Sequence, residues 1–146
     1  MSIIAESTTQ PPSRPRAGAG VAGAYTPGVC NIGPAEIARR RRAGHVGALL
    51  TVGLLIVLVA VDAPPLVRLV VALPASVTAI SYLQAWLRFC AGFGSRGIFN
   101  FGDLGQTEMV ANEEDRARDR SRATRIGVAG GAIGLAVGIL AELLPL

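Results

Sequence analysis

Three stretches of this chain stay apolar for longer than a soluble core requires, and almost no charge interrupts them: residues 46–61, 66–87 and 126–144. A soluble helix keeps one polar face. An apolar run near about 18 residues marks instead a helix that crosses a bilayer. The first run is short and borrows Gly44 and His45 at its inner end. The pattern predicts an all-α membrane protein with three transmembrane helices.

Punctuation between the runs supports this division. Asp62-Ala63-Pro64-Pro65 closes the first span, since tandem prolines cannot continue a helix. Arg68, one turn into the second span, is expected to snorkel to the nearby headgroups. Pro74 should kink that span. Tyr82, Gln84 and Trp86 mark its far interface, and Arg88 closes it. Asn112 reads as an N-cap, with Glu113, Glu114 and Asp115 in the first turn where the helix dipole favours them. The pairs Glu114–Arg118, Asp115–Arg118 and Asp119–Arg122 are spaced for a solvated helix that continues through Arg125 into the third span.

The remaining segments are of two kinds. Residues 1–29 are rich in Ser, Thr, Pro, Gly and Ala and read as a disordered cytoplasmic tail ahead of a helical membrane domain at 30–146. Pro34 to Arg42 reads as a short juxtamembrane helix lying along anionic lipid, each Arg contributing about 1 kcal/mol. Residues 88–125 form the cytoplasmic segment between the second and third spans. Within it, residues 89–111 hold all four Phe of the protein among several Gly. That is too broken for a span and too apolar for a free loop, so an interfacial or re-entrant segment is expected.

Composition sharpens the picture. Hydrophobic residues make up 51% and mean hydropathy is +0.47; charged residues are 16%, against roughly 25% in soluble domains. All 14 basic residues are Arg, and the net charge is +4. Such a balance can signal nucleic acid. Here the Arg clusters abut the apolar runs, with no interleaved aromatics, so the partner is the lipid bilayer and no nucleic acid is expected. Arg39, Arg40, Arg41, Arg42, Trp86, Arg88 and Arg125 are the membrane anchors. Arginines flank the first span and fill 88–125, whereas the 62–65 turn has none. The positive-inside rule then puts the N-terminus in and the C-terminus out. No signal peptide or lipobox precedes Cys30, so a multi-pass protein of a bacterial inner (plasma) membrane is expected.

Candidate chemistry is sparse. Gly130, Gly134 and Gly138 recur every four residues in the third span, beside the pair Gly127 and Gly131. This glycine zipper lets backbones approach closely, within the chain or between subunits. Glu142 continues the stripe near its outer end. Cys90 and Cys30 are a possible thiol site, with Arg88 and Arg96 able to supply positive field. Cys30, His45 and Cys90 match no zinc spacing, so no metal and no cofactor are expected. Gly92-Phe93-Gly94-Ser95-Arg96-Gly97 spells G-x-G-x-x-G but follows a membrane span, not a strand, and fails the dinucleotide context. No catalytic triad, phosphate loop or carboxylate pair is present, and no enzyme is expected.

Asn31-Ile32-Gly33, the basic helix Arg39–Arg42 with Gly44, a two-span hairpin, and Cys90 with Gly94 and Gly97 follow one another in an order that resembles the rhodanese-associated, YgaP-like two-span membrane family. The resemblance covers residues 30–97. It implies a two-span architecture and sulfur chemistry at the late cysteine. Ala91 stands where that family has Pro after the cysteine, and the third span is additional. The leading expectation is a non-enzymatic accessory subunit that packs through its third span as a homo-oligomer or within a larger membrane complex. The alternatives are a thiol-dependent sulfur-carrier or redox-sensing module using Cys90, and a small transporter or channel subunit.

Overall fold

The computed structural model describes residues 25–144; of the tail expected at 1–29, residues 1–24 lie outside them. Three helices are long and apolar enough to cross a membrane: Pro34–Ala60, Pro65–Trp86 and Glu113–Glu142. The first, α1 (Pro34–Ala60), is one unbroken helix of 27 residues. This corrects the separate juxtamembrane helix expected before residue 46. Gly44 and Gly47 do not break α1, because they are where the next span presses against it: a Cβ at Gly44 would lie 2.9 Å from the Tyr82 ring.

Val61 and Asp62 end α1 in a Schellman turn, with Asp62 at φ 50° and the Ala63 N–H donating to Leu58 O at 2.9 Å. The second span then starts with α2 (Pro65–Arg68), tightens through a 3-10 turn at Leu69–Val71, and continues as α3 (Ala72–Trp86). The tight turn lies just before Pro74, whose ring has no N–H and crowds the carbonyl four residues back. The expected disturbance at Pro74 is therefore a change of helical pitch in the turn before it. A second Schellman turn ends α3, with Arg88 at φ 52° and the Phe89 N–H donating to Gln84 O at 3.0 Å.

Residues 89–111 fold onto the start of the last helix. They form α4 (Ala91–Arg96) and an antiparallel hairpin of β1 (Ile98–Phe99) and β2 (Glu108–Met109). The four phenylalanines explain the apolarity of this segment. Phe89 is fully buried with Ala123 and Ile126, Phe99 stacks on Tyr25 at 4.7 Å and sits 6.1 Å from Phe101, and Phe93 lies under the Arg40 guanidinium. Asn112 caps α5 (Glu113–Glu142), its side chain accepting the Glu114 N–H at 3.0 Å. This 30-residue helix carries both the charged stretch and the third span.

Length sets the layout. The middle span has 22 residues, α1 has 27 and α5 has 30. At about 1.5 Å per residue the middle span matches a hydrocarbon core of about 30 Å, and the outer two overshoot it by about 10–15 Å. Their overshooting ends carry Arg39–Arg42 and Glu113–Arg125, and α4, the hairpin and residues 25–33 pack around them as a small cap. Away from the cap α3 stands between α1 and α5 and packs on both.

Candidate functional site

The cap is assembled by buried polar side chains. Asp119 is fully buried and accepts two hydrogen bonds from the segment before α1, from the Gly28 N–H at 2.7 Å and the Tyr25 hydroxyl at 3.0 Å. Residues 25–29 are therefore a docked turn, with Gly28 at φ 69°, and not part of a tail. Asp119 makes no ion pair with Arg122, contrary to the spacing argument; Glu114–Arg118 and Asp115–Arg118 do pair, at 2.6 and 3.6 Å. Burial and the adjacent Asp119 carboxylate push the Tyr25 hydroxyl well above the usual tyrosine range.

Asn31 does for Cys90 what Asp119 does for Gly28. Its side chain accepts the Cys90 N–H at 2.7 Å and donates to Cys90 O at 3.1 Å, while its own backbone bonds Arg88 O and the Asn100 N–H. The cap strand is continued by Gly33, whose N–H donates to Asn100 O at 2.7 Å. Asn31 is thus the hinge pin between the chain entering α1 and the chain leaving α3.

This arrangement separates the two cysteines. Cys30 lines a cleft of about 480 Å³ with Arg41, Trp86 and Arg88. Cys90 lines another, of about 470 Å³, with Arg39, Arg40 and Arg96. Both thiols are free. Burial pushes the Cys30 thiol up, against smaller opposing effects of its contact with Ile32 O and the positive Arg88. Cys90 is 2% exposed, and its sulfur accepts a hydrogen bond from the Arg40 guanidinium at 2.9 Å. Arg40 and Arg39 also reach the buried Glu36 carboxylate, at 3.7 and 3.5 Å. The four consecutive arginines are therefore not equivalent. Arg39 and Arg40 face one cleft, Arg41 the other, and Arg42 is exposed.

In the long three-helix layer below the cap, Gly130, Gly134 and Gly138 lie against α3. Gly130 meets Ile80, Gly134 meets Ser76, and Gly138 meets Ala72 and the Leu69 carbonyl. Gly127 and Gly131 face open space. The glycine stripe is therefore occupied inside the chain, and only the neighbouring pair is left over. Ser76 and Thr78 donate to carbonyls of their own helix at 2.7 and 2.8 Å. Arg68 does not snorkel outward. It is buried and turns inward, donating to Ala63 O at 2.9 Å and Leu144 O at 3.2 Å, which ties the far turn to the end of α5. Trp86 is 81% exposed, Arg88 holds the α3 turn, and Arg125 is exposed on α5. His45 pairs with the Tyr82 hydroxyl at 2.7 Å, and among the described residues no three His, Cys, Asp or Glu side chains cluster as metal ligands do.

One further opening lies between α1 and α5 over the floor of α3. It is an apolar groove of about 300 Å³, with Ala75, Thr78 and Ala79 below, Ala48 and Val52 on one wall, and Ile133 and Val137 of the third span on the other.

Asn31 and Asp119 were missed as structural centres by sequence reasoning. A signal for Asp119 was present: Asp119, Ala123, Ile126, Gly130, Gly134 and Gly138 recur at spacings of three or four, so the glycine stripe runs straight into an acidic residue on the buried face. Asn31 carries no comparable local signal. No family model, curated protein or solved structure matches this chain.

Proposed function

We propose that this protein is a non-enzymatic membrane module that assembles with its own copies or within a larger membrane complex, with its cap on the cytoplasmic side of a bacterial inner membrane. The observation that carries the reading is the groove between α1 and α5. Its floor is made of small residues and its walls are apolar, which is the shape that admits another transmembrane helix. The third span contributes one wall through Ile133 and Val137, while its glycines hold α3. Orientation follows from charge, since every described arginine except Arg68 lies at the cap end. Trp86, Arg88 and Arg125 then sit where interfacial anchors belong.

Ala79→Leu tests the assembly by filling the groove from its floor. In vesicles at low protein density, single-molecule photobleaching of wild type should show multiple copies per complex, or a fixed ratio to a partner subunit. Ala79→Leu should release folded monomers. A wild type that is monomeric and partner-free, or an unchanged distribution in Ala79→Leu, refutes the reading.

A second reading, sulfur chemistry at Cys90, is favoured by the cation held on its sulfur and by the YgaP-like order of residues 30–97. It predicts that a polysulfide donor adds sulfur mass to the intact protein and that Cys90→Ala abolishes the addition. Equal addition in Cys90→Ala would exclude it.

A further inference from the structure

The cleft beside Cys90 has a use that neither reading requires. Arg39 and Arg40 of α1 and Arg96 of α4 converge on it. The charged groups facing it are these three cations and the Glu36 carboxylate that pairs with two of them, so the site carries three positive charges against one negative, a net of +2. Arg96 is exposed and has no ion-pair partner among the described residues. The Arg40 guanidinium stands over the Phe93 ring, 6.0 Å from its centroid. Gln84 also lines the cleft, its side-chain Oε1 accepting the Ala91 N–H at 2.9 Å.

The floor of the same cleft is Ile80. Ile80, Val77 and Leu73 recur at three and four residues along α3, so they form one stripe running from the cleft toward the membrane centre. Val77 is 59% and Leu73 68% exposed. A cationic pocket thus opens at the end of an uncovered apolar track, at the level where α3 leaves the hydrocarbon layer. We propose that this cleft binds the phosphate of an anionic phospholipid, with Arg39, Arg40 and Arg96 on the headgroup and one acyl chain along Ile80, Val77 and Leu73. The arginines recognise phosphate by charge and directed N–H groups. The inference rests on the chain being embedded in a membrane and is independent of the assembly groove, which lies between α1 and α5.

The test is native mass spectrometry of the full chain in detergent with dioleoylphosphatidylglycerol, dioleoylphosphatidylcholine, or glycerol phosphate as a soluble competitor. The glycerol lipid should bind at least about tenfold more tightly than the choline lipid. Arg40→Gln and Arg96→Gln should each weaken it about tenfold, the share of one charge-assisted hydrogen bond to phosphate. Arg42→Gln and Arg125→Gln, equal in charge change but outside the cleft, should not. Arg96 is exposed and its loss leaves the fold intact, and an unchanged far-ultraviolet circular dichroism spectrum verifies folding of Arg40→Gln. Equal losses in all four variants, equal binding of both lipids, or full displacement by glycerol phosphate would overturn the proposal. Release of the chain from membranes by alkaline carbonate would instead refute the membrane reading beneath it.

Discussion

Two alanine substitutions three residues apart should change stability in opposite directions. A Cβ at Gly134 would lie 2.6 Å from Ser76 Cα, and closer still to the Ser76 amide nitrogen and hydroxyl. Carbon atoms settle at about 3.5–4.0 Å, so α5 and α3 would have to part by roughly 1 Å. The obstruction is backbone, which no rotamer change relieves. Overpacking of this kind costs about 1–3 kcal/mol, and here the upper end applies. Alanine returns about 0.8–1.0 kcal/mol of helix propensity, leaving a net loss of about 2 kcal/mol. At Gly131 a Cβ meets nothing within 4 Å. Gly131→Ala should therefore be neutral or gain up to about 1 kcal/mol. Reversible unfolding in mixtures of dodecylmaltoside and sodium dodecyl sulfate, followed by circular dichroism, measures both. Equal destabilisation by the two variants, or a neutral Gly134→Ala, would refute the seating of α5 on α3.

Other substitutions probe the cap and the far turn. Asp119→Ala leaves the Gly28 N–H and Tyr25 hydroxyl without their acceptor; at about 1–3 kcal/mol for such a loss, limited proteolysis should cut the segment before α1 faster. That attachment should also respond to pH in one direction only. Because the Tyr25 pKa is raised on docking, its contribution is complete below the free tyrosine value of about 10 and declines as pH rises beyond it. Proteolysis should be flat with pH below about 10, and Tyr25→Phe should remove the alkaline rise. Asn31→Ala should expose Cys90 to maleimide roughly 5–150-fold faster in a Cys30→Ser background, from the loss of about 1–3 kcal/mol of buried hydrogen bonding; an unchanged rate would mean Asn31 does not hold Cys90. Arg68→Leu should destabilise the bundle by about 1.5–3 kcal/mol by freeing the Ala63 and Leu144 carbonyls, whereas a neutral result would return Arg68 to the headgroups.

The helices were legible because long apolar runs and their punctuation are local. The 62–65 turn, the Asn112 cap and the continuity of the charged stretch with the third span all depend on neighbours in sequence. The juxtamembrane helix and the first span, expected as separate elements, run together for a reason that is not local: Gly44 and Gly47 are seats for Tyr82 and Thr78 of another helix. The cap was invisible for the same cause: Gly28 meets Asp119 across 91 positions and Asn31 meets Cys90 across 59. Arg68 shows the limit of a rule based on depth alone. Snorkelling assumes that water or headgroups are the best acceptors in reach, and here two helix-end carbonyls are nearer.

The most direct test of the account is the sidedness of its two ends. Thr107→Cys places a thiol on the exposed cap hairpin loop, and Leu143→Cys places one beyond α5 at the opposite end, where Leu143 is 69% exposed. Each would be made in a Cys30→Ser, Cys90→Ala background and treated with a membrane-impermeant maleimide. Leu143→Cys should label in intact cells, and Thr107→Cys only after permeabilisation. Labelling of both in intact cells would contradict a three-span crossing, and labelling of Thr107→Cys alone would invert the orientation drawn from the arginines.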